Sequence, residues 1–363
     1  MRERYFIHAG VRYRVCEWDV GVTGAVQTRP LVLLHGFAQS ADSWAEVVGC
    51  LAHPENLATD NACISFNKVY ALDFVGHGKS DKPQGGSPQG FQPQSDNLCS
   101  AQSQAQSFRC DTPQEANPYS MDVACIMLEE FLRAVCDENE GRAPVVVGYS
   151  MGGRIALAML CRVLAKNGAS LAGGKLIAQG ERPRKDKLAE EKHMLPLFAL
   201  VLESAGLGPA AESDRMKVAS VNAERAHTLR TRGIVEFMDA WERLPLFATQ
   251  QALPKEARDK VREVRLANDA QALACTLEGT GAHLMPSQKV SLAVIDALLE
   301  QGIFVLYITG ARDEKYRAIA QTLSSRRTAH TDNACITRII KGAGHNTHLE
   351  KPQDFVNCLT NAF

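Results

Sequence analysis

Residues 145–153, with the sequence VVVGYSMGG, place a serine at the junction of an apolar run and a helix-forming run. Three consecutive valines are typical of a strand buried on both faces of a parallel sheet, and the following residues RIALAMLCRVLA are typical of a helix. Glycines flank Ser150 in the pattern G-x-S-x-G, because a sharp strand-to-helix turn leaves no room for side chains there. The stretch therefore predicts that the hydroxyl of Ser150 is exposed at the carboxyl end of a strand. A plain glycine turn without chemistry is the alternative interpretation.

Short apolar runs recur along the chain and alternate with helical segments. They lie at residues 30–34, 68–73, 144–148, 197–203, 303–308 and 336–340. Strands that alternate with helices predict an α/β fold with a mostly parallel central sheet and flanking helices.

Three stretches depart from this alternation. Residues 81–118 are rich in Gln, Ser, Pro and Gly, and residues 166–194 are Gly-rich and then highly charged, so both are predicted to be insertions. Residues 204–286 are helical and amphipathic, which predicts a cap over the carboxyl edge of the sheet. The predicted organisation is a core formed by residues 1–203 and 287–363, with the cap between them.

Composition excludes several classes of function. Lys and Arg number 40 and Asp and Glu number 41, so the formal charge of −1 creates no global attraction for nucleic acid or an anionic membrane. The 11 cysteines show no CxxC pair, which predicts free thiols in a reducing compartment. No apolar run is long enough to span a bilayer or to serve as a signal peptide. We therefore expect a cytoplasmic protein that binds a small molecule, with no nucleic acid, no membrane insertion and an oligomeric state that the sequence does not indicate.

Two further residues complete a catalytic pattern with Ser150. Asp313 follows the predicted strand at 303–308, and His345 follows the one at 336–340, so both lie at the same sheet edge as the serine. The order Ser, Asp, His is the one that a triad takes in serine hydrolases built on such a sheet. Asp73, after the strand at 68–73, is a weaker alternative to Asp313.

An oxyanion hole is predicted next to this triad. The segment Leu34-His35-Gly36-Phe37 follows a strong strand, and its loop can supply the backbone N–H of Phe37. Met151, directly after the serine, supplies the second N–H.

These strings together resemble the 2-succinyl-6-hydroxy-2,4-cyclohexadiene-1-carboxylate synthases of menaquinone biosynthesis, a branch of the α/β-hydrolase superfamily. The resemblance lies in GYSMGGR at 148–154, GARDEKY at 310–316 and GHNTHLEKP at 344–352. In the cap, Trp241 and Arg265 also fit the pattern. The resemblance extends from about residue 30 to the C-terminus, without the two insertions.

The resemblance implies the α/β-hydrolase fold and a lyase that eliminates pyruvate from 2-succinyl-5-enolpyruvyl-6-hydroxy-3-cyclohexene-1-carboxylate. The triad would then abstract a proton instead of carrying an acyl group. The substrate is a tricarboxylate, and carboxylates that enter a dry pocket require cations, for which the planar fork of arginine is the best match. The predicted substrate-binding residues are Tyr149, Arg154, Arg215, Trp241, Arg265 and Lys315. The family pattern around Arg215 has no clean register here, and Lys217 is its alternative.

Other functions use the same residues. A hydrolase of esters or of carbon–carbon bonds would need the same triad and oxyanion hole, and a binding protein on this scaffold would need neither. No phosphate loop, dinucleotide motif or metal-ligand cluster is present in the sequence, so we expect no cofactor and no metal.

Overall fold

An eight-stranded sheet forms the centre of the structure, a computed structural model that describes residues 1–20, 27–53, 64–84, 117–166, 169–172, 175–178, 195–327 and 334–362. The strands lie in the order β1-β2-β4-β3-β5-β8-β9-β10. Their bounds are β1 Arg2–His8, β2 Val11–Asp19, β3 Gln27–Leu34, β4 Ile64–Leu72, β5 Val145–Tyr149, β8 Ala199–Glu203, β9 Phe304–Gly310 and β10 Ile336–Ile340. The strands from β4 to β10 run parallel, while β1 and β2 pair antiparallel at one edge.

The parallel part of the sheet confirms the predicted α/β class. Every residue of β5 and β8 is buried, as expected for central strands covered on both faces. The sequence did not predict β1 and β2. Residues of β1 alternate between exposed and partly buried and include Arg2, Glu3 and Arg4, so this edge strand lacks an apolar run.

Helices cover both faces of the sheet. Their bounds are α1 Ala45–Leu51, α2 Met121–Glu138, α3 Met151–Lys166, α4 Glu212–Trp241, α5 Lys255–Leu266, α6 Ala270–Gly279, α7 Gln288–Glu300, α8 Glu314–Ser324, α9 Thr347–Glu350 and α10 Pro352–Thr360. One apolar cluster packs α2, α3, α7 and α8 against the sheet, and a second packs α1 and α10 against the opposite face. Among the described helices, none has the length and apolar character required to cross a membrane.

The two predicted insertions are described only in part. Strands β6 Ala169–Ala172 and β7 Lys175–Ala178 form a separate antiparallel pair within the predicted excursion at 166–194. The rest of that segment from residue 179, and residues 85–116 of the other insertion, lie outside the described residues.

Residues 204–286, for which the sequence predicted a cap, are mainly helical in the structure. They contain α4, which is interrupted at Gly233 (φ 79°), then α5, α6 and two short 3-10 helices, Pro245–Ala252 and Ala282–Leu284. A small apolar cluster joins α4 and α6, and Ala38 from the core belongs to the same cluster. The exact boundaries of the cap stay a prediction.

A buried arginine ties the N-terminal hairpin to the parallel sheet. Arg14 of β2 is only 2% exposed, and its guanidinium donates to Glu3 at 2.8 Å, to both oxygens of Asp42 at 2.8 and 3.0 Å, and to Asp73 at 3.4 Å. Asp73 is fully buried and also accepts from the backbone amides of Ala41 and Lys79. The structure therefore places Asp73 in this cluster and not beside His345.

We expect Arg14→Met to lower the free energy of unfolding by about 3–5 kcal/mol, because it leaves the buried carboxylate of Asp73 without its cation. Urea denaturation of the purified protein measures this change. The control is Arg12→Met on the same strand, since Arg12 pairs with Asp81 at an exposed site and should cost less than about 1 kcal/mol. Equal losses in the two variants would contradict the assignment of Arg14 as a structural clamp.

Candidate active site

The turn that carries Ser150 is held in a strained backbone conformation. Ser150 has φ 46°, in the left-handed region, and its amide donates to the backbone oxygen of Glu203 at 2.9 Å. Helix α3 starts at the next residue and passes very close to β5. A Cβ on Gly148 would lie 2.4 Å from the Cα of Gly153, so this approach requires glycine. The strain and the close approach are the features expected of a nucleophile turn.

Ser150, His345 and Asp313 form one chain of hydrogen bonds. The Oγ of Ser150 lies 3.2 Å from Nε2 of His345, and Nδ1 of His345 lies 2.8 Å from Oδ2 of Asp313. His345 is 2% exposed and Asp313 is 7% exposed, while Ser150 is partly open. The structure thus brings together the three side chains that the sequence predicted for a triad.

Asp313 is positioned by the start of a helix. It is the N-cap of α8, and its Oδ1 accepts a hydrogen bond from the amide of Tyr316 at 3.3 Å. The positive end of the helix dipole also favours a carboxylate at this place. One oxygen therefore holds the helix while the other faces His345.

Aromatic rings surround the imidazole of His345. The ring centroids of Tyr316, Tyr149 and Phe247 lie 4.6, 5.4 and 6.1 Å from it. Tyr149 is buried, and burial raises the pKa of its hydroxyl well above the ordinary value. Tyr149 therefore stays neutral, and its ring packs beside that of His345.

Glu203, at the end of β8, holds the loop that follows His345. Its fully buried carboxylate accepts from the hydroxyl of Thr347 at 2.7 Å and from the amide of His348 at 2.9 Å, and it lies 2.6 Å from Nδ1 of His348. The imidazole of His348 stacks on Trp44 with centroids 3.9 Å apart. Sequence reasoning did not assign Glu203 a role, although its place at a strand end beside the serine turn is readable from the sequence.

The predicted oxyanion loops lie next to each other. The amide of Gly152, next to Met151, donates to the backbone oxygen of His35 at 3.1 Å, which joins the serine turn to the loop of Phe37. Within the described residues, the amides of Phe37 and Met151 have no acceptor, as expected for donors reserved for a ligand.

Two buried histidines brace the loop of Phe37. His35 accepts from the amide of Phe74 through Nε2 at 3.0 Å and donates through Nδ1 to the oxygen of Gly36 at 2.7 Å, which requires the neutral ring. The ring of His77 lies 5.1 Å from that of His35, and its Nδ1 contacts the oxygen of Val75 at 3.1 Å. Burial lowers the pKa of His35 to about 4 and that of His77 to about 3. His35 thus connects the loop of Phe37 to the turn after Asp73.

Arg154 is a half-buried cation one turn into α3. Its Nη1 donates to the backbone oxygen of Thr280 in the cap at 3.4 Å, and no described carboxylate forms an ion pair with it. Burial lowers its pKa because the charged guanidinium loses hydration, an effect that Tyr316 partly offsets. A desolvated cation without a counter-ion, one helical turn after Ser150, is suited to an anionic ligand.

The other predicted substrate-binding residues differ in how many hydrogen bonds and ion pairs they already form within the protein. Arg215 donates to the backbone oxygens of His283 and Met285 (3.0 Å for Met285) and pairs with Glu212 at 3.2 Å. Its alternative, Lys217, is exposed on the same helix.

Arg265 is 4% exposed and forms an ion pair with Glu242 at 3.1 Å. Its guanidinium also lies over the ring of Phe247, 5.0 Å from the centroid. Lys315 is exposed, with its Nζ 5.2 Å from the ring centroid of Tyr316. Contacts between these residues and substrate stay predictions.

Trp241 lies where α4 ends, against the loop of Phe37. Its ring is 5.2 Å from that of Phe37 and 5.7 Å from that of Phe247. The sequence analysis assigned no role to Arg225, whose guanidinium carbon lies 5.0 Å from the ring centroid of Trp241. An arginine in a charged amphipathic helix gave no sequence signal that distinguishes it from the surface arginines around it.

The cap also contacts the core through a buried amide. Nδ2 of Asn268 donates to the oxygen of Ala38 at 3.2 Å, and the amide of Gly78 donates to Oδ1 of Asn268 at 3.4 Å. Asn268 therefore links the cap to the loop that follows Phe37 and to the turn after Asp73. In the part of the chain that is described, no group of three His, Cys, Asp or Glu side chains is arranged to hold a metal ion.

Comparison with known proteins gives this geometry a family context. The sequence profile of the Alpha/beta hydrolase family matches residues 31–357. A Bacillus subtilis (strain 168) protein, named provisionally as a 2-succinyl-6-hydroxy-2,4-cyclohexadiene-1-carboxylate synthase, is 26% identical over 95% of this chain and 92% of its own. A protein of Enterobacter sp. (strain 638) with the name of the same synthase is 27% identical over 59% of this chain and 64% of its own.

Solved structures resemble the fold. The structure of MenH from S. aureus superposes with a TM-score of 0.61 at 23% identity, and the alignment covers 96% of each chain. An esterase from Thermogutta terrifontis superposes with a TM-score of 0.58 at 17% identity, over 99% of this chain and 97% of its own. Together with the parallel sheet and its flanking helices, these matches confirm the predicted α/β-hydrolase fold.

We expect the protein to lose stability at mildly acidic pH because the unfolded chain protonates His35 and His77. This loss should begin at a higher pH than the protonation of most carboxylates. The folded-state pKa values of about 4 and 3 lie below the ordinary value of 6.5, so the unfolded chain binds more protons and the free energy of unfolding falls as the pH drops below about 6.5. The slope approaches about 1.4 kcal/mol per pH unit for each ring.

The test compares urea denaturation at pH 7 and pH 5 for the wild type and His77→Asn. Asparagine retains a donor for the oxygen of Val75 but does not titrate. The loss of stability between the two pH values should be smaller in the variant by about 2 kcal/mol. An identical loss of stability in both proteins would mean that His77 does not contribute to the pH dependence of the free energy of unfolding.

Proposed function

This chain belongs to the α/β-hydrolase family, and on that premise we propose that it is a lyase of menaquinone (vitamin K2) biosynthesis. It would eliminate pyruvate from 2-succinyl-5-enolpyruvyl-6-hydroxy-3-cyclohexene-1-carboxylate and release 2-succinyl-6-hydroxy-2,4-cyclohexadiene-1-carboxylate. The names of the Bacillus subtilis and Enterobacter relatives support this reaction. The observation that carries the proposal is Arg154, a half-buried cation without an ion-pair partner among the described residues, one helical turn after Ser150.

Arg154 separates this reaction from ester hydrolysis. An enzyme for neutral esters has no use for a half-buried guanidinium without a counter-ion, since burying an unpaired charge costs free energy. A substrate with three carboxylates supplies the missing counter-ion. In the proposal, Arg154 binds one carboxylate of the substrate and orients the ring over Ser150.

The hydrogen-bonded chain of Ser150, His345 and Asp313 supports a role as base. Nδ1 of His345 donates to Asp313, so the lone pair of Nε2 faces the Oγ of Ser150 and can accept its proton. In the proposed reaction Ser150 takes the proton from the ring carbon next to the succinyl carbonyl, and its own proton passes to His345. The electron pair of the broken C–H bond forms a ring double bond to the neighbouring carbon, the existing ring double bond shifts to the carbon that bears the enolpyruvyl oxygen, and the C–O bond breaks. The enolpyruvyl group leaves as the enolate of pyruvate, and the proton held by His345 returns to convert it to pyruvate.

The amides of Phe37 and Met151 are the proposed oxyanion hole. During proton removal, negative charge develops on the succinyl carbonyl oxygen, and preorganised N–H groups stabilise it without reorganisation. The remaining predicted substrate contacts, Tyr149, Trp241 and the cap cations, belong to the same proposal. Trp241 is well placed for it, because its ring borders Phe37.

The proposed partner is a small, soluble tricarboxylate, and the proposed site of action is the cytoplasm. The described cysteines are free thiols, which suits a reducing compartment. No nucleic acid, cofactor or metal enters the proposed reaction.

The deciding experiment incubates the purified protein with the enolpyruvyl substrate. Pyruvate release is measured with lactate dehydrogenase, and the conjugated diene by its ultraviolet absorbance. We expect equimolar pyruvate and diene, and a loss of about 10³-fold or more in kcat for Ser150→Ala, because removal of one triad residue disables the whole unit. Ser150-dependent hydrolysis of aryl esters without pyruvate release would instead make the protein an ester hydrolase.

We expect Arg154→Gln to reduce kcat/KM for the tricarboxylate by about 10- to 100-fold, because a charge-assisted hydrogen bond to a carboxylate is lost. The control is hydrolysis of a neutral aryl ester by the same preparations. Where this hydrolysis is detected, its kcat/KM should differ by less than about threefold between the variant and the wild type. Arg154→Lys should recover only part of the activity, since lysine lacks the bidentate fork. Unchanged turnover of the tricarboxylate in Arg154→Gln would refute this role.

A further inference from the structure

Tyr316 is the third residue of helix α8 and lies directly beside the triad. Its amide donates to Oδ1 of Asp313 at 3.3 Å, and the other oxygen of Asp313 lies 2.8 Å from Nδ1 of His345. The side chain of Tyr316 is 8% exposed, and its ring centroid lies 4.6 Å from that of His345 at an interplanar angle of 47°. Tyr316 therefore contacts both the acid and the proposed base.

Two other described rings border His345 at longer distances. The centroid of Tyr149 lies 5.4 Å from that of His345, and the centroid of Phe247 lies 6.1 Å away with the two ring planes crossing at 73°. A cation is attracted to the face of an aromatic ring within about 6 Å of its centroid. Of these three rings, Tyr316 is thus the nearest to a positive charge that His345 acquires.

His345 acquires such a charge when it accepts the proton of Ser150. The imidazolium is then balanced by the carboxylate of Asp313 at Nδ1. His345 is only 2% exposed, so water contributes little to stabilising the charge. The face of an aromatic ring carries partial negative charge, and its attraction for a cation increases where the cation is desolvated. The ring of Tyr316 therefore favours the imidazolium over the neutral imidazole.

The groups that face His345 come from the start of α8, from β5 with the serine turn, and from the cap. They are Asp313, Tyr316, Tyr149, Ser150 and Phe247. Among these contacts of the described residues, the carboxylate of Asp313 is the only formal charge. A substitution at Tyr316 therefore changes the surroundings of the imidazolium without removing a charge.

Tyr316 also has two permanent cations as neighbours. The phenol offsets part of the fall in pKa that burial causes in the guanidinium of Arg154. Nζ of the exposed Lys315 lies 5.2 Å from the ring centroid of Tyr316. An effect of Tyr316 through these predicted substrate-binding cations would change KM, whereas an effect through His345 changes kcat.

We propose that Tyr316 is a positioning residue whose ring holds His345 against Asp313 and stabilises its imidazolium form during proton transfer. The ring carries this role, and the hydroxyl is not required for it. The inference rests on the proposed function only in that His345 acts as a base, and it applies equally to elimination and to ester hydrolysis.

Two variants separate the ring from the hydroxyl. Tyr316→Phe retains the ring and serves as the matched control, while Tyr316→Leu replaces the ring with an aliphatic side chain. We expect kcat for pyruvate release to fall about 3- to 30-fold in Tyr316→Leu, with little change in KM, and to change less than about twofold in Tyr316→Phe.

A titration of His345 followed by NMR tests the same role without turnover. The signals of His345 in long-range proton–nitrogen spectra are assigned with a His345→Gln variant. Because the ring favours the protonated form, its removal should require more acid to protonate the imidazole. We expect the pH midpoint of His345 to fall by about 0.5–1.5 units in Tyr316→Leu and to stay within about 0.3 units in Tyr316→Phe.

A fluorinated ring provides a second measurement if Tyr316→Leu does not fold. Pentafluorophenylalanine in place of Tyr316 preserves the shape of the ring but removes the negative charge of its face. We expect the midpoint of His345 and kcat to fall in this protein as they do in Tyr316→Leu. A purely structural role would predict the behaviour of Tyr316→Phe instead.

The outcomes separate this inference from the proposed function. A lowered midpoint in the proteins without the electron-rich ring, but no pyruvate release by the wild type, would support the role of Tyr316 and reject the lyase. Pyruvate release with an unchanged or raised midpoint in those proteins would retain the lyase and overturn the role of Tyr316. A loss in Tyr316→Phe as large as that in Tyr316→Leu would assign the effect to the hydroxyl and would also overturn it.

Discussion

Glu203 is hydrogen-bonded on both sides of the site, and the geometry of the site depends on it. Its backbone oxygen accepts from the amide of Ser150, while its buried carboxylate holds Thr347 and His348 in the loop that carries His345. The left-handed conformation of Ser150 costs about 1–3 kcal/mol and persists only where the surroundings determine it. Strand β8, buried between β5 and β9, provides that rigid support. A single residue at a strand end therefore sets the distance between the serine turn and the histidine loop.

Much of this architecture could be predicted from the sequence because the central strands are buried on both faces and read as apolar runs. Ser150, Asp313 and His345 each lie within five residues of the end of such a run, so parallel pairing alone brings them to one edge. The hairpin of β1 and β2 could not be recognised in the same way, since an edge strand that is half exposed tolerates charged residues. Its attachment depends on Arg14, whose partners lie in distant parts of the sequence.

The cap cations show a different limit of sequence reasoning. Arg225, Arg230 and Arg232 lie within eight residues of one helix and are chemically identical. Only the packing of α4 against α6 determines that Arg230 meets Glu278, and only the end of α4 brings Trp241 to Arg225. Whether a cation meets a carboxylate or an aromatic ring is thus a property of tertiary structure. Arg265 illustrates the reverse case, because a motif singled it out and the structure pairs it with Glu242.

Asn268 and the cap cluster make the cap and the loop of Phe37 parts of one packed unit. Ala38 packs among cap residues of α4 and α6, and its backbone oxygen is bound by Asn268. If the cap were replaced by the cap of another protein with this fold, the contacts that shape the loop of Phe37 would therefore be lost. Recombination at the cap boundaries would have to carry residues 35–38 along with the cap, so in the proposed enzyme selectivity and transition-state stabilisation would be inherited together.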